Sequence, residues 1–183
     1  MAYDVEAIRR DFPILSRQVY GKPLVYLDNG ASAQKPHFVI ETMRQIYEEE
    51  YANVHRGVHF LSGCATLRFE NAREVVRQYI NARESREIIF TRGATEAVNL
   101  VAQTFGRHML QAGDEVIISQ LEHHANIVPW QLLREEKGIA LKVAPIHADG
   151  RLNFEAFEAL ISPRTKLVAM AHVSNSIGTI MPI

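Results

Sequence analysis

Thr91-Arg92-Gly93-Ala94-Thr95-Glu96 follows a strand-like apolar run, Glu87-Ile88-Ile89-Phe90, and opens a helical run over residues 97–110. A strand, a glycine, a hydroxyl residue and a helix start together form an anion-binding corner. Gly93 lets the backbone come close to a ligand, and the uncapped N–H groups of the new helix point at it. The Thr95 hydroxyl adds a donor, and the helix dipole favours a phosphate's negative charge. Taken alone, the same residues also read as an ordinary βα turn with Thr95 as its N-cap. Further polar clusters at equivalent places in the pattern weigh toward the first reading.

Outward from this turn, strands and helices alternate. Strands are predicted at 87–91, 115–119, 140–145 and 166–172, with helices at 97–110, 125–137 and 154–161 between them. Gly113-Asp114, Gly138 and Asp149-Gly150 mark the turns. Upstream, Asp4 caps a short helix over 5–11 that Pro13 ends, and 24–28 reads as a strand. Pro36 suits the first turn of a helix with Val39, Ile40, Met43, Ile46 and Tyr47 on one face, and a second helix spans about 62–80. Repeated βα units predict an α/β fold, a mostly parallel sheet with flanking helices. Residues 1–86 form a mainly helical segment with one strand, and 87–183 the first part of the α/β domain. Leu167-Val168-Ala169-Met170-Ala171 is continuously apolar, as strands in the middle of a doubly covered sheet are. Close behind it comes Gly178-Thr179-Ile180-Met181-Pro182-Ile183, so the chain is expected to be interrupted inside its fold.

A net charge of −1 gives no electrostatic case for nucleic acid or an anionic membrane. No apolar stretch approaches the roughly 20 residues that span a bilayer. The single cysteine, Cys64, excludes an internal disulfide and fits a reducing cytosol, so a cytoplasmic protein is expected.

In open α/β sheets, ligands bind beyond the carboxyl ends of the strands. Thr91 to Glu96 lies there. So do Gln120-Leu121-Glu122-His123-His124-Ala125-Asn126, His172-Val173-Ser174-Asn175-Ser176-Ile177-Gly178 and Asp28-Asn29-Gly30-Ala31-Ser32. Several polar loops at one kind of position predict one shared pocket. His123 and His124 are adjacent and share no face, and no Cys or carboxylate stands at zinc-like spacing beside them, so no metal site is expected. For His123, an imidazole stacked flat on an aromatic ligand and a polar cap for the following helix both fit.

Together the clusters resemble the class V aminotransferase group of pyridoxal-phosphate enzymes, specifically the SUF-type cysteine desulfurases. The matching stretches are Tyr26-Leu27-Asp28 with Ala31-Ser32-Ala33-Gln34-Lys35-Pro36, Asn53-Val54-His55-Arg56-Gly57-Val58-His59, and Arg92-Gly93-Ala94-Thr95-Glu96. Glu122-His123-His124-Ala125-Asn126-Ile127-Val128-Pro129-Trp130 and His172-Val173-Ser174-Asn175 continue the match. The resemblance implies the incomplete large domain of a fold-type I pyridoxal 5'-phosphate enzyme. It implies that Ala94 and Thr95 bind the cofactor phosphate and that His123 stacks on its ring. Asn175 would contact the ring's phenolic oxygen and the substrate carboxylate, and Ala31, Ser32 and His55 would border the substrate. It further implies L-cysteine as substrate, an accessory sulfur-acceptor protein serving iron–sulfur cluster assembly, and a homodimer or a separate C-terminal half as partner. Selenocysteine lyase is the close enzymatic rival, and a non-catalytic association module the alternative of another class. Such chemistry needs a Schiff-base lysine. None of the lysines has the setting expected for it, and Cys64 does not match the family's nucleophile, so the chain alone is expected to be inactive.

Overall fold

A computed structural model describes residues 3–182, which divide into two compact units between Ile89 and Phe90. The first unit is mainly helical. Asp4 Oδ1 accepts from Ala7 N at 2.9 Å and starts α1 (Val5–Arg10). A two-residue hairpin follows, β1 (Gln18–Val19) with β2 (Lys22–Pro23), turning through Tyr20 and Gly21 at positive φ. Helix α2 (His37–Gln45) has Pro36 as N-cap and ends in a π turn, Ile46–Glu50. Helix α3 (Phe60–Tyr79) is capped by His59, whose Nδ1 accepts from Ser62 N. Among the described residues of this unit, Ser62 and Ile88 alone are fully buried. Phe60, Leu67 and Tyr79 stay exposed, so the unit has little core of its own.

The second unit holds a three-stranded parallel sheet in the order β4-β3-β5, formed by β3 (Glu115–Ser119), β4 (Ala140–Ala144) and β5 (Thr165–Ala169). Every residue of β3 is buried, which suits the apolar centre Val116-Ile117-Ile118 of a strand in the middle of the sheet. Helix α4 (Ala94–Val101) runs through a π turn, Ala102–Gly106, into α5 (Arg107–Met109). Helix α6 (Val128–Lys137) ends at Gly138, which takes the left-handed φ of 71°. Helix α7 (Phe154–Leu160) starts at Asn153, whose side chain accepts from Ala156 N, and packs on β4. Ala102, Leu110, Val116, Ile118, Trp130, Leu133 and Ile139 form the core between sheet and helices.

Several expectations are corrected. The stretches 24–28 and 87–91 are not strands: the first is irregular, and in the second Ser85–Glu87 is a 3-10 turn followed by irregular chain. A strand needs a hydrogen-bonded ladder, and neither stretch enters one among the described residues; Leu24 N, which donates to Arg17 O at 2.9 Å, only extends the hairpin by one bond. The expected strand 166–172 lies instead at Thr165–Ala169. It occupies the outer position among the described strands rather than the middle, with Lys166 and Val168 exposed. Helix α4 begins at Ala94 rather than 97. Its N-cap is Gly93, so Thr95 is not the cap.

Candidate functional site

At the amino end of α4, no side chain caps the helix. The N–H groups of Ala94, Thr95 and Glu96 and the Thr95 hydroxyl have no acceptor among the described residues. The corner is braced from outside: Arg92 N donates to Glu96 Oε2 at 2.6 Å, and Asn99 Nδ2 donates to Thr95 O at 2.8 Å. Helix α4 packs against the 3-10 turn His124–Asn126, which follows β3. The first and second predicted clusters therefore lie side by side.

In the second cluster, His123 caps that turn, its Nδ1 accepting from Ala125 N at 3.1 Å. With Nδ1 occupied as an acceptor, the neutral ring carries its proton on Nε2. The ring is exposed and meets His124 edge-on at 6.0 Å. The capping reading of His123 is thus correct, and one edge of the ring is fixed while its faces are not buried.

What holds this turn is a set of residues to which the sequence motif assigned no role. Glu122 Oε1 accepts from Ser119 Oγ at 2.6 Å and from Ala171 N at 3.0 Å, while its Oε2 accepts from Asn126 Nδ2 at 2.8 Å. Asn126 Nδ2 also donates to Ala169 O at 3.0 Å, and its Oδ1 accepts from the indole N–H of Trp130 at 3.0 Å. Trp130 is 2 % exposed, so its N–H needs an acceptor, and Asn126 stands one helical turn earlier. That i, i+4 spacing was the signal available in the sequence. The network joins the loop after β3 to the end of β5 and brings the second and third clusters together.

Asn175 lies in the third cluster, in a turn built on buried Ser174. Ser174 N donates to Thr179 O at 2.9 Å, and its Oγ accepts from Ser176 N and Ile177 N at 3.3 and 3.4 Å. Asn175 itself is exposed and makes no hydrogen bond among the described residues. His123 and Asn175 stand on the loops that follow β3 and β5, and Ala94 and Thr95 open helix α4, which packs on the first of these loops. A cleft of about 510 Å³ lined by His147, Arg151, Phe154 and Pro182 contains none of them.

The remaining predicted residues belong to the first unit. Ala31 N and Ser32 N both donate to Asp28 O, and Tyr26 Oη donates to Ser32 O at 2.7 Å, so Tyr26 ties the loop shut. His55 takes a left-handed φ of 61° and contacts Glu70 on α3. No hydrogen bond among the described residues joins the Ala31–Ser32 loop to His55. Four lysines are engaged elsewhere: Lys35, Lys137 and Lys166 donate to backbone carbonyls, and Lys142 pairs with Glu115 at 2.8 Å. Glu115, buried at the amino end of β3, has its carboxyl drawn down to about 2, first by Lys142 and then by the Ser162 hydroxyl. This charge effect lies about 13 Å from the carboxyl end of β3, by strand rise.

The residues 25–183 match the family model for aminotransferase class-V. The chain belongs to the class-V aminotransferase family. Enzymes of this class-V family depend on pyridoxal phosphate. The chain is 52 % identical to a cysteine desulfurase of Salmonella typhimurium, over all of its own length and 45 % of the relative's. It superimposes with a TM-score of 0.89 on the apo cysteine desulfurase of Thermococcus onnurineus NA1, at 36 % identity, covering 100 % of this chain and 44 % of the other. A C-DES mutant with glycine covalently linked to its PLP cofactor shares the fold at a TM-score of 0.74 and 20 % identity, over 95 % of this chain and 43 % of its own. The chain thus spans under half the length of the relatives it matches. Its class-V donor set suits a phosphorylated aromatic cofactor: unpartnered helix N–H groups and a hydroxyl for phosphate, an open imidazole face and a side-chain amide. No helix among the described residues is long and apolar enough to cross a membrane.

Proposed function

We propose that this chain is the N-terminal, cofactor-binding half of a pyridoxal-phosphate-dependent cysteine desulfurase that works in the cytoplasm. The observation that carries the proposal is the set of unpartnered donors at α4 beside the exposed His123 ring, on a turn held to the end of β5 by Glu122 and Asn126. The 52 % identity to a cysteine desulfurase supports the choice of reaction.

The N–H groups of Ala94 and Thr95 and the Thr95 hydroxyl bind the phosphate, favoured by the helix dipole. His123, fixed through Nδ1, supports the ring face, and Asn175 orients the phenolic side of the cofactor and the substrate carboxylate. Ala31, Ser32 and His55 border L-cysteine. Bound there, pyridoxal phosphate supplies an electron sink for the carbon skeleton of the substrate. The Schiff-base lysine and the cysteine that takes the sulfur come from the other half of the enzyme, which works as a homodimer. The sulfur then passes to an acceptor protein for iron–sulfur cluster assembly.

Titration of the chain with pyridoxal 5'-phosphate tests this, with the fluorescence of Trp130, the single tryptophan, as readout. Thr95→Val is expected to weaken binding about tenfold, the scale of one charge-assisted hydrogen bond, and His123→Ala by up to about tenfold, the scale of one aromatic stacking contact. Unchanged binding in both variants refutes the assignment. With L-cysteine added, the chain alone forms no alanine beyond background.

A second reading has its own observation. The first unit buries little besides Ser62 and Ile88, and β5 has a described strand on one side only. Both features suit a module that acts by association with its complementary half. A chain that sediments as a stable monomer and gains nothing from that half counts against it.

A further inference from the structure

His55 has a side-chain backbone geometry that non-glycine residues rarely adopt, with φ at 61°. That conformation costs about 1–2 kcal/mol for an L-residue, so neighbouring groups must hold it. The holders form one stripe of α3, spaced i, i+3, i+4 and i+7: Thr66, Phe69, Glu70 and Arg73. His55 N donates to Thr66 Oγ1 at 3.0 Å, and the imidazole meets the Phe69 ring edge-on at 6.1 Å. Its Nε2 lies 3.0 Å from Glu70 Oε1. The second oxygen of Glu70 accepts from Arg73 Nε at 3.2 Å. Arg73 in turn lies 5.0 Å over the Phe69 ring and donates to Ile88 O. Both the backbone of His55 and the carboxylate facing its ring are therefore set from outside.

We propose that Glu70 is a positioning residue that selects the Nε2–H tautomer of His55 and turns its Nδ1 outward as an acceptor. An ionised carboxylate offers only acceptors, so the nitrogen it meets carries the proton. The other nitrogen of the neutral ring then has its lone pair free. Nδ1 of His55 has no partner among the described residues, and the side chain is 54 % exposed. An acceptor of that kind suits the ammonium or thiol hydrogen of a small amino acid. His123 is the reverse case, with Nδ1 occupied by Ala125 N and Nε2–H outward. This inference rests on the reading that His55 borders the substrate, and it adds which nitrogen does so and what fixes it.

The test uses the chain labelled with 15N at histidine, with ring nitrogen and proton correlations recorded at alkaline pH. The His55 signals are assigned by their loss in His55→Gln. The Nε2–H form is expected in excess by about tenfold or more, the factor one charge-assisted hydrogen bond supports. Glu70→Met, similar in length but without an acceptor, brings the two tautomers to within about threefold of each other. Glu70→Gln has one oxygen for both Arg73 Nε and the ring, so with Arg73 holding that oxygen its NH2 faces Nε2 and the preference is lost here too. An Nδ1–H ring in the unsubstituted chain overturns the proposal, whether or not any variant folds. So does a tautomer ratio that Glu70→Met leaves unchanged. Addition of L-cysteine with pyridoxal phosphate separates the two ideas. A tautomer that follows Glu70 without any ligand response at Nδ1 upholds the positioning and refutes the substrate contact.

Discussion

Replacing Glu122 by glutamine keeps the shape of the side chain and exchanges one acceptor for a donor. Four donor contacts converge on the carboxylate: Ser119 Oγ and Ala171 N on Oε1, and Asn126 Nδ2 and again Ala171 N, at 3.2 Å, on Oε2. Glutamine best keeps its oxygen toward Ser119, which points its NH2 at the NH2 of Asn126. Asn126 has no relief in turning over, because its oxygen already accepts from Trp130 and its nitrogen also serves Ala169 O. One half-buried donor is left facing another, and the remaining bonds lose their charge. An unmet buried donor costs about 1–3 kcal/mol, so Glu122→Gln is expected to destabilise the chain by about 2 kcal/mol. Urea unfolding followed by circular dichroism measures it, as a midpoint lower by about 1 M. In an Asn126→Ala background the opposing donor is gone, and the same substitution should cost about 1 kcal/mol less. Strict additivity of the two substitutions, or a cost under about 0.5 kcal/mol for Glu122→Gln alone, refutes the donor-conflict argument.

Two more outcomes are expected. Glu115 has its carboxyl lowered from 4.5 to about 2 by Lys142 and then Ser162, so its contribution is present above the ordinary carboxylate range and lost as pH falls from about 4.5 toward 2. Glu115→Gln should make the acid limb of the stability curve shallower over that interval; parallel limbs for the two proteins contradict it. Tyr26→Phe removes the hydroxyl that closes the loop onto Ser32 O at 2.7 Å and reaches Asp28 O at 3.3 Å. Amide exchange at Ala31 and Ser32 should quicken by about tenfold, the worth of one ordinary hydrogen bond, and unchanged exchange means the loop is held otherwise.

The local parts of this protein were legible residue by residue. Asp4 before an apolar-periodic run, Pro36 ahead of α2 and Gly138 after α6 each act through the nearest turn of chain, and each stands where its chemistry places it. The apolar run of β3 is buried throughout. The sheet's parallel character followed from the alternation of strands and helices, which leaves a crossover no other way back. The resemblance of the polar loops to pyridoxal-phosphate enzymes was likewise a property of short stretches.

The tertiary structure decided what depends on neighbours distant in the chain. Residues 24–28 and 87–91 have strand-like composition, yet no described residue supplies the ladder that would make them strands. The apolar run of β5 carries no mark saying which flank will be covered, and among the described strands only the flank toward β3 is. Glu122, 49 residues before Ala171, and Asn126, 43 before Ala169, acquire these partners only when β3 and β5 lie side by side. The same holds for Glu70, which meets His55 across 15 residues because α3 folds back along that loop. Sequence fixes what a side chain is able to donate or accept; which partner comes within about 3 Å is a matter of packing.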